Sequence, residues 1–271
     1  AEQAIATFVR LAETHPASPL AAEARYRIGE VHFAAGDYAV AATHFEMALD
    51  QATEAAVRER AAHKLTWCRF EQQEFAAAEA SFGEQVVAYP NGPLAADAQL
   101  MQAECQFRQH KHREALDGFT AALDRPGVTG TLRQSALLHA AQAAAHLEQW
   151  GCCIELADRA IAEFPDARWT DDARCERGTA LFERGHLEEA EREFAALATS
   201  REPSGARAEF MLGKIQAARG RADEAVRTFF KVAYGYGDTS APEAYRPWQA
   251  ESLYEAARCL VQTERVDSAR K

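Results

Sequence analysis

The chain copies itself at a fixed spacing. The segments HPASPLAAEA, starting at His15, and YPNGPLAADA, starting at Tyr89, share both prolines, the Leu-Ala-Ala run and the closing alanine. Their first prolines, Pro16 and Pro90, stand 74 residues apart, two periods of 37. The segment around Thr53 holds the place half-way between them without a proline, and a third copy, FPDARWTDDA, begins at Phe164. Self-similarity at a period of about 20–50 residues specifies a stack of small units, each unable to bury its apolar face alone.

A second ladder gives the unit its internal structure. Small residues recur at Ala4, Ala41, Ala78, Ala115, Cys153, Ala190 and Ala225. Four residues after each come Phe8, Phe45, Phe82, Phe119, Ala157, Phe194 and Phe229. Three further on lie Leu11, Ala48, Gln85, Ala122, Ala160, Leu197 and Val232. Spacings of four and three put each trio on one helix face, with Gln85 as the one polar intruder. The helix before each trio carries a close-packing residue: Gly29, Thr66, Ala103, Ala141, Gly178, Gly213 or Ala257. Gly36-Asp37 closes the first of these helices. Each unit therefore reads as helix, tight turn, helix, then a proline-marked turn.

These residues resemble the tetratricopeptide repeat family. Its pattern maps onto Ile28, Gly29, Tyr38, Ala41, Phe45 and Ala48, and its closing proline onto Pro16, Pro90 and Pro165. Pro126 and Pro203 fit that last position less closely. The resemblance covers essentially the whole chain and implies an all-α fold, an α-α superhelix (TPR solenoid) of antiparallel helix pairs. The usual period is about 34. The longer unit and its linker look like a subgroup of bacterial envelope proteins, the outer-membrane assembly lipoproteins and the Tol–Pal accessory protein. That style favours the periplasm or cell envelope over the cytoplasm.

The expected layout is a half unit over 1–20 and full units over about 21–56, 57–93, 94–131, 132–168, 169–203 and 204–236. An insert over 237–249 and the first helix of a further unit over 250–271 complete it. Counting from Ala225 to Ala269, the next aligned small position, gives 44 residues instead of 37. Neither end reads as a polar cap, so the chain is expected to be part of a longer repeat protein.

The resemblance also implies a groove lined by the first helix of each unit. Its positions carry over as Glu23, Tyr26, Glu30 and Phe33, then Arg60, His63, Trp67, Phe70 and Glu71, then Asp97, Leu100, Glu104, Phe107 and Arg108. Later units offer Leu138, Gln142, His146, Phe182, Phe210 and Lys214. Aromatics among mixed charges suit an extended peptide or a short amphipathic helix of a partner protein. The phenylalanines Phe33, Phe70, Phe107 and Phe182 serve equally well as packing between units, and the sequence leaves both readings open. The family's chaperone-tail binders hold a carboxylate with Lys and Asn. The matching positions here are Tyr26/Glu30 and His63/Trp67, so that clamp is absent. Tyr234, Tyr236, Tyr245 and Trp248 make the insert aromatic, either as a binding loop or as cover for its neighbours.

No catalytic, metal or cofactor constellation is expected. Cys152 and Cys153 are adjacent and point about 100° apart on a helix, a poor geometry for one ion. Cys153 also fills the ladder's small slot, and Cys68, Cys105 and Cys259 share one repeat position as packing residues. His110 and His112 fall at a turn. Asp171-Asp172 and Glu188-Glu189 fall at helix starts, where they offset the dipole. GKIQAARG lacks the phosphate-loop order. The net charge is −11, from 30 Lys and Arg against 41 Asp and Glu, which disfavours nucleic acid. No apolar run of about 18 residues is present to span a membrane. A non-catalytic interaction scaffold is the expected function. A structural spacer that self-associates, or the repeat region of a larger enzyme or regulator, are the alternatives.

Overall fold

A computed structural model describes residues 2–167, 169–200, 202–236 and 243–263. Among them lie fourteen α-helices and one 3-10 turn, with no strand. The helices are α1 (Glu2–Thr14), α2 (Pro19–Ala34), α3 (Tyr38–Gln51), α4 (Ala55–Glu71), α5 (Phe75–Ala88), α6 (Ala95–Arg108) and α7 (His112–Leu123). They continue as α8 (Gly130–His146), α9 (Trp150–Glu163), α10 (Thr170–Glu183), α11 (Leu187–Leu197), α12 (Pro203–Ala218), α13 (Ala222–Gly235) and α14 (Arg246–Gln262). Residues 237–242 of the expected insert, and Ala269, lie outside the described residues.

The chain divides into two compact units, residues 1–143 and 144–271. In the first, each helix from α2 to α7 packs on the one before it, and α2 also touches α4. In the second, α9 to α13 pack in the same sequential way, α13 packs on α14, and α12 touches both α10 and α14. The even-numbered helices therefore share a face within each unit, while the odd-numbered helices fill the other side.

The sequence ladder is the core. Phe45, Phe82, Phe119, Phe194 and Phe229 are all fully buried, as are Ala41, Ala78, Ala115, Cys153, Ala190 and Ala225. Burying one such ring is worth about 1.5–3 kcal/mol against the unfolded chain, so these rings anchor every pair. The close approach that they need is made by glycine on the facing helix. A Cβ built on Gly29 would lie 2.7 Å from the Phe45 ring, and one on Gly178 or Gly213 would lie 2.7 or 2.6 Å from Phe194 or Phe229. In the third full unit the glycine has moved to the other helix, where a Cβ on Gly118 would meet that of Ala103 at 2.8 Å. In α1 the ladder is open: Ala4 is exposed, and Phe8 and Leu11 are half-buried.

The turn within each pair is one repeated motif. The second residue after each even-numbered helix from α2 to α12 has a left-handed backbone: Gly36 (φ 83), Gln73 (φ 63), His110 (φ 59), Glu148 (φ 56), Gly185 (φ 79) and Gly220 (φ 75). The next N–H reaches back five residues in all six turns, as in Asp37 to the His32 carbonyl and Glu74 to the Arg69 carbonyl, both 2.9 Å. This is the Schellman closure that satisfies the last helical carbonyls. Only three of the six turns carry the glycine that the conformation favours.

Candidate functional site

In the first unit the even-numbered helices present a row of rings. Phe33, Phe70 and Phe107 each sit near the end of their helix and meet, edge-on, the aromatic residue that opens the next one. The partners are Tyr38, Phe75 and His112, with centroids 5.3, 5.4 and 5.4 Å apart. These phenylalanines thus pack inside their own helix pair, and each keeps part of its surface open. Trp67 extends the row, 5.7 Å from Phe70 and 6.4 Å from Phe82.

Each phenylalanine in that row is capped from the following even-numbered helix. Lys64 Nζ lies 4.9 Å from the centroid of Phe33, the Arg108 guanidinium 5.9 Å from that of Phe70, and the His139 ring stacks on Phe107 at 6.1 Å. Cations favour the negative face of an aromatic ring, an attraction of about 0.5–1 kcal/mol where water reaches it.

Beneath the row lie polar residues with internal partners. Tyr26 is 5% exposed and packs at a tilt on Phe45, with the Arg60 guanidinium 4.9 Å above it. Burial, reinforced by its hydrogen bond to Glu30, pushes its hydroxyl up to about 12. Glu23 pairs with Arg27 at 2.9 Å and Arg60 at 2.7 Å, and Glu30 with Arg27 at 2.7 Å. His63, 5% exposed, places Nε2 2.9 Å from Asp97 and Nδ1 3.0 Å from Gln85 Oε1. The Trp67 indole N–H points at the same pair, 3.0 Å from His63 Nε2 and 3.4 Å from Asp97. Glu104, 5% exposed, lies 2.7 Å from both Arg108 Nε and His139 Nδ1. Burial alone would raise its carboxyl, but His139 and Arg108 hold it below the usual carboxylate range. Leu100 is 3% exposed and belongs to the core.

The expected contact residues therefore fall into two layers. Tyr26, His63, Leu100 and Glu104 are buried and support the face. Glu30, Phe33, Trp67, Phe70, Phe107 and Arg108 reach its surface. Lys64 on this face and Gln85, buried on α5 beneath it, were missed. A polar side chain in an apolar ladder slot was the available signal for Gln85, because buried polar atoms are almost always paired.

The second unit has a shorter row. Phe210 is buried between Phe229 and Trp248, at 5.8 and 5.7 Å. Arg207 makes a two-pronged contact to Glu176, 2.7 and 3.2 Å, and lies 5.7 Å from the Trp248 ring centroid. Tyr236 stacks on Tyr245 at 5.6 Å; burial and a hydrogen bond to Glu209, which Lys231 also pairs, raise its hydroxyl above the usual phenol range. Tyr245 ends the 3-10 turn and Trp248 sits in the first turn of α14; the turn and Trp248 cover α12, while Tyr234 stays exposed beside Phe230. Phe182 lies under Lys214 Nζ at 5.0 Å.

The cysteines are free, and all except Cys152 are buried. Burial pushes the thiols up to about 11 at Cys68 and about 12 at Cys105, Cys153 and Cys175, which leaves them protonated and unreactive. Among the described residues no three His, Cys, Asp or Glu side chains form a cluster that could hold a metal ion. Among them, too, no helix is long and apolar enough to cross a membrane.

The sequence matches the family profile described as Tetratricopeptide repeat over residues 1–56, 69–127 and 175–245, together more than half of the chain. No curated protein sequence matches it. Among solved structures it is similar to a tetratricopeptide repeat protein from Parabacteroides merdae, at 17% identity, covering 92% of this chain and 91% of that one, with a TM-score of 0.58. It is also similar to the apo form of the quorum sensor NprR from B. thuringiensis, at 14% identity, covering 92% and 73%, with a TM-score of 0.66. NprR in complex with its cognate peptide NprX gives 14% identity, 92% and 75% coverage and a TM-score of 0.60. At these identities the likeness is one of fold.

Proposed function

From the premise that this chain belongs to the tetratricopeptide repeat family, we propose that it is a non-catalytic scaffold whose even-numbered helices dock a peptide or helix of a partner protein. The observation that carries this reading is the row Phe33, Trp67, Phe70 and Phe107. Its rings are held rigid by edge-on neighbours and remain partly open to solvent, while most of the charges around them are already paired. Rigid rings lose little conformational freedom on binding, and locked charges present few groups that a partner must desolvate without compensation. The peptide complex of the fold relative NprR supports the same reading by analogy. The linker style of the repeats favours a bacterial envelope complex as the setting.

The test is capture of partners from separate envelope and soluble fractions of a bacterial lysate. The bait is this chain beside a Trp67→Ala, Phe70→Ala, Phe107→Ala version shown to be folded by circular dichroism. A protein held by the first and lost by the second supports the docking face and identifies the process. Equal capture by both, or capture of the chain's own copies alone, contradicts it in favour of a spacer that self-associates.

A further inference from the structure

Four of the chain's five lysines lie among the described residues, and they divide into two kinds. Lys111 pairs with Glu79 at 2.7 Å, and Lys231 pairs with Glu209. Lys64 and Lys214 have no acidic partner among the described residues; each instead lies over a phenylalanine, Phe33 at 4.9 Å and Phe182 at 5.0 Å. Phe33 and Phe182 stand at the same position of their repeats, near the end of an even-numbered helix, and each lysine comes from the next even-numbered helix. The arrangement therefore occurs once in each compact unit, independently.

These unpaired ammonium groups stand in a chain with acids to spare, 41 against 30 bases. In the first unit the acids of the face are engaged elsewhere. Glu23 and Glu30 hold Arg27 and Arg60, Glu71 accepts from Tyr38, Asp97 holds His63, and Glu104 holds Arg108 and His139. The other two caps of the ring row, Arg108 and His139, share Glu104 as their acidic partner, so among the caps Lys64 alone lacks one. In the second unit Glu176 is taken by Arg207 and Glu209 by Lys231. A half-buried ammonium over a ring has given up part of its hydration and still has donors to offer, a state that an incoming carboxylate completes without breaking any existing pair.

We propose that Lys64 and Lys214 each receive a carboxylate from an acidic segment of a partner protein, with Phe33 or Phe182 as the adjoining apolar contact. This rests on the docking-face reading above and adds the charge of the partner to it. The lysines select for acidic side chains, and the locked acids of the first unit add a bias against partners that are acidic everywhere. The favoured segment therefore alternates acidic and apolar residues, so that its carboxylates reach the lysines and its apolar side chains reach the rings.

The test uses the whole chain and three labelled dodecapeptides, read by fluorescence anisotropy. One alternates Glu and Asp with Leu and Phe, the second has Gln and Asn in place of the acids, and the third has Lys in those places. The acidic peptide is expected to bind tightest at low salt and to lose its advantage at high salt. The two sites are separate, so Lys64→Gln and Lys214→Gln are each expected to weaken one of two binding events about five-fold, the effect of one partly exposed ion pair, the double variant to weaken both, and all three to leave the neutral peptide unchanged. Lys64→Arg should retain the wild-type preference. Equal binding of acidic and neutral peptides, or no loss in the Lys→Gln variants, overturns the lysine assignment. If the neutral or basic peptide binds and is lost with Phe70→Ala, the docking face survives and the assignment alone fails. Binding of none of the three, up to millimolar concentration, contradicts both.

Discussion

Gln85 Oε1 lies 3.0 Å from His63 Nδ1, which joins the one polar residue of the apolar ladder in α5 to the inner side of α4. The contact continues through His63 to Asp97 and Trp67, so one buried chain of polar atoms links α4, α5 and α6. In an apolar interior such a network has value only when its members are paired. Gln85→Leu is expected to destabilise the chain by about 1–3 kcal/mol, the cost of leaving a buried ring nitrogen unpaired. His63→Leu alone should cost a similar amount, and the double variant less than the sum, with a coupling of about 0.5–3 kcal/mol. Urea unfolding of the four proteins measures it. Strict additivity would mean that the contact carries no energy.

The six left-handed turn residues give a second prediction. Gln73, His110 and Glu148 adopt a conformation that costs a side-chain-bearing residue about 1–2 kcal/mol, part of which glycine's greater freedom in the unfolded chain offsets. Gln73→Gly or His110→Gly should therefore raise stability by about 0.5–1 kcal/mol. Gly36→Ala, at the equivalent turn, should lower it. Thermal unfolding of these variants checks the sign, and a loss on Gln73→Gly would contradict the turn assignment.

Close packing of the pairs gives a third. A Cβ on Gly29 would lie within 2.9 Å of three atoms of the Phe45 ring, which is itself fully buried and cannot swing away. Gly29→Ala should cost about 1–3 kcal/mol by overpacking. Gly29→Ala with Phe45→Leu should recover part of that loss. Gly151→Ala, where the added atom meets nothing within 4 Å, is the control. An unchanged unfolding midpoint for Gly29→Ala would reject this pairing of α2 with α3.

Glu104 sets a pH dependence. Its carboxyl is held below its ordinary value, so the folded state favours the ionised form. The sign follows: the stabilisation is present above the unfolded carboxylate value of about 4.3 and is lost as pH falls through the lower folded value. Urea midpoints of wild type and Glu104→Gln should therefore differ at neutral pH and converge in acid. A difference that grows as pH falls would contradict the assignment.

The helical repeat was legible because its period is carried by large buried rings and small partners. Each Phe of the ladder from Phe45 onward is fully buried where the spacing put it. The depth of the face was not legible. Tyr26, His63, Leu100 and Glu104 share a helix side with the partly exposed rings, but Tyr26 packs on Phe45, His63 on Phe82, and Glu104 pairs with His139 of α8, which are relations between helices. Gln85 looked anomalous because its partner is 22 residues away. Lys64 gave no signal at all, since a lysine on a helix is ordinarily solvated and only the Phe33 ring beneath it marks it out.

The central claim is that partners dock on the even-numbered helices. Site-specific photocrosslinking tests it most directly, with a photoreactive phenylalanine analogue placed in turn at Phe70, on α4, and at Val87, an 82% exposed position on α5 of the same unit. The account predicts a crosslinked partner protein from position 70 and none from position 87. Crosslinking from position 87 alone, or equally from both, would contradict it.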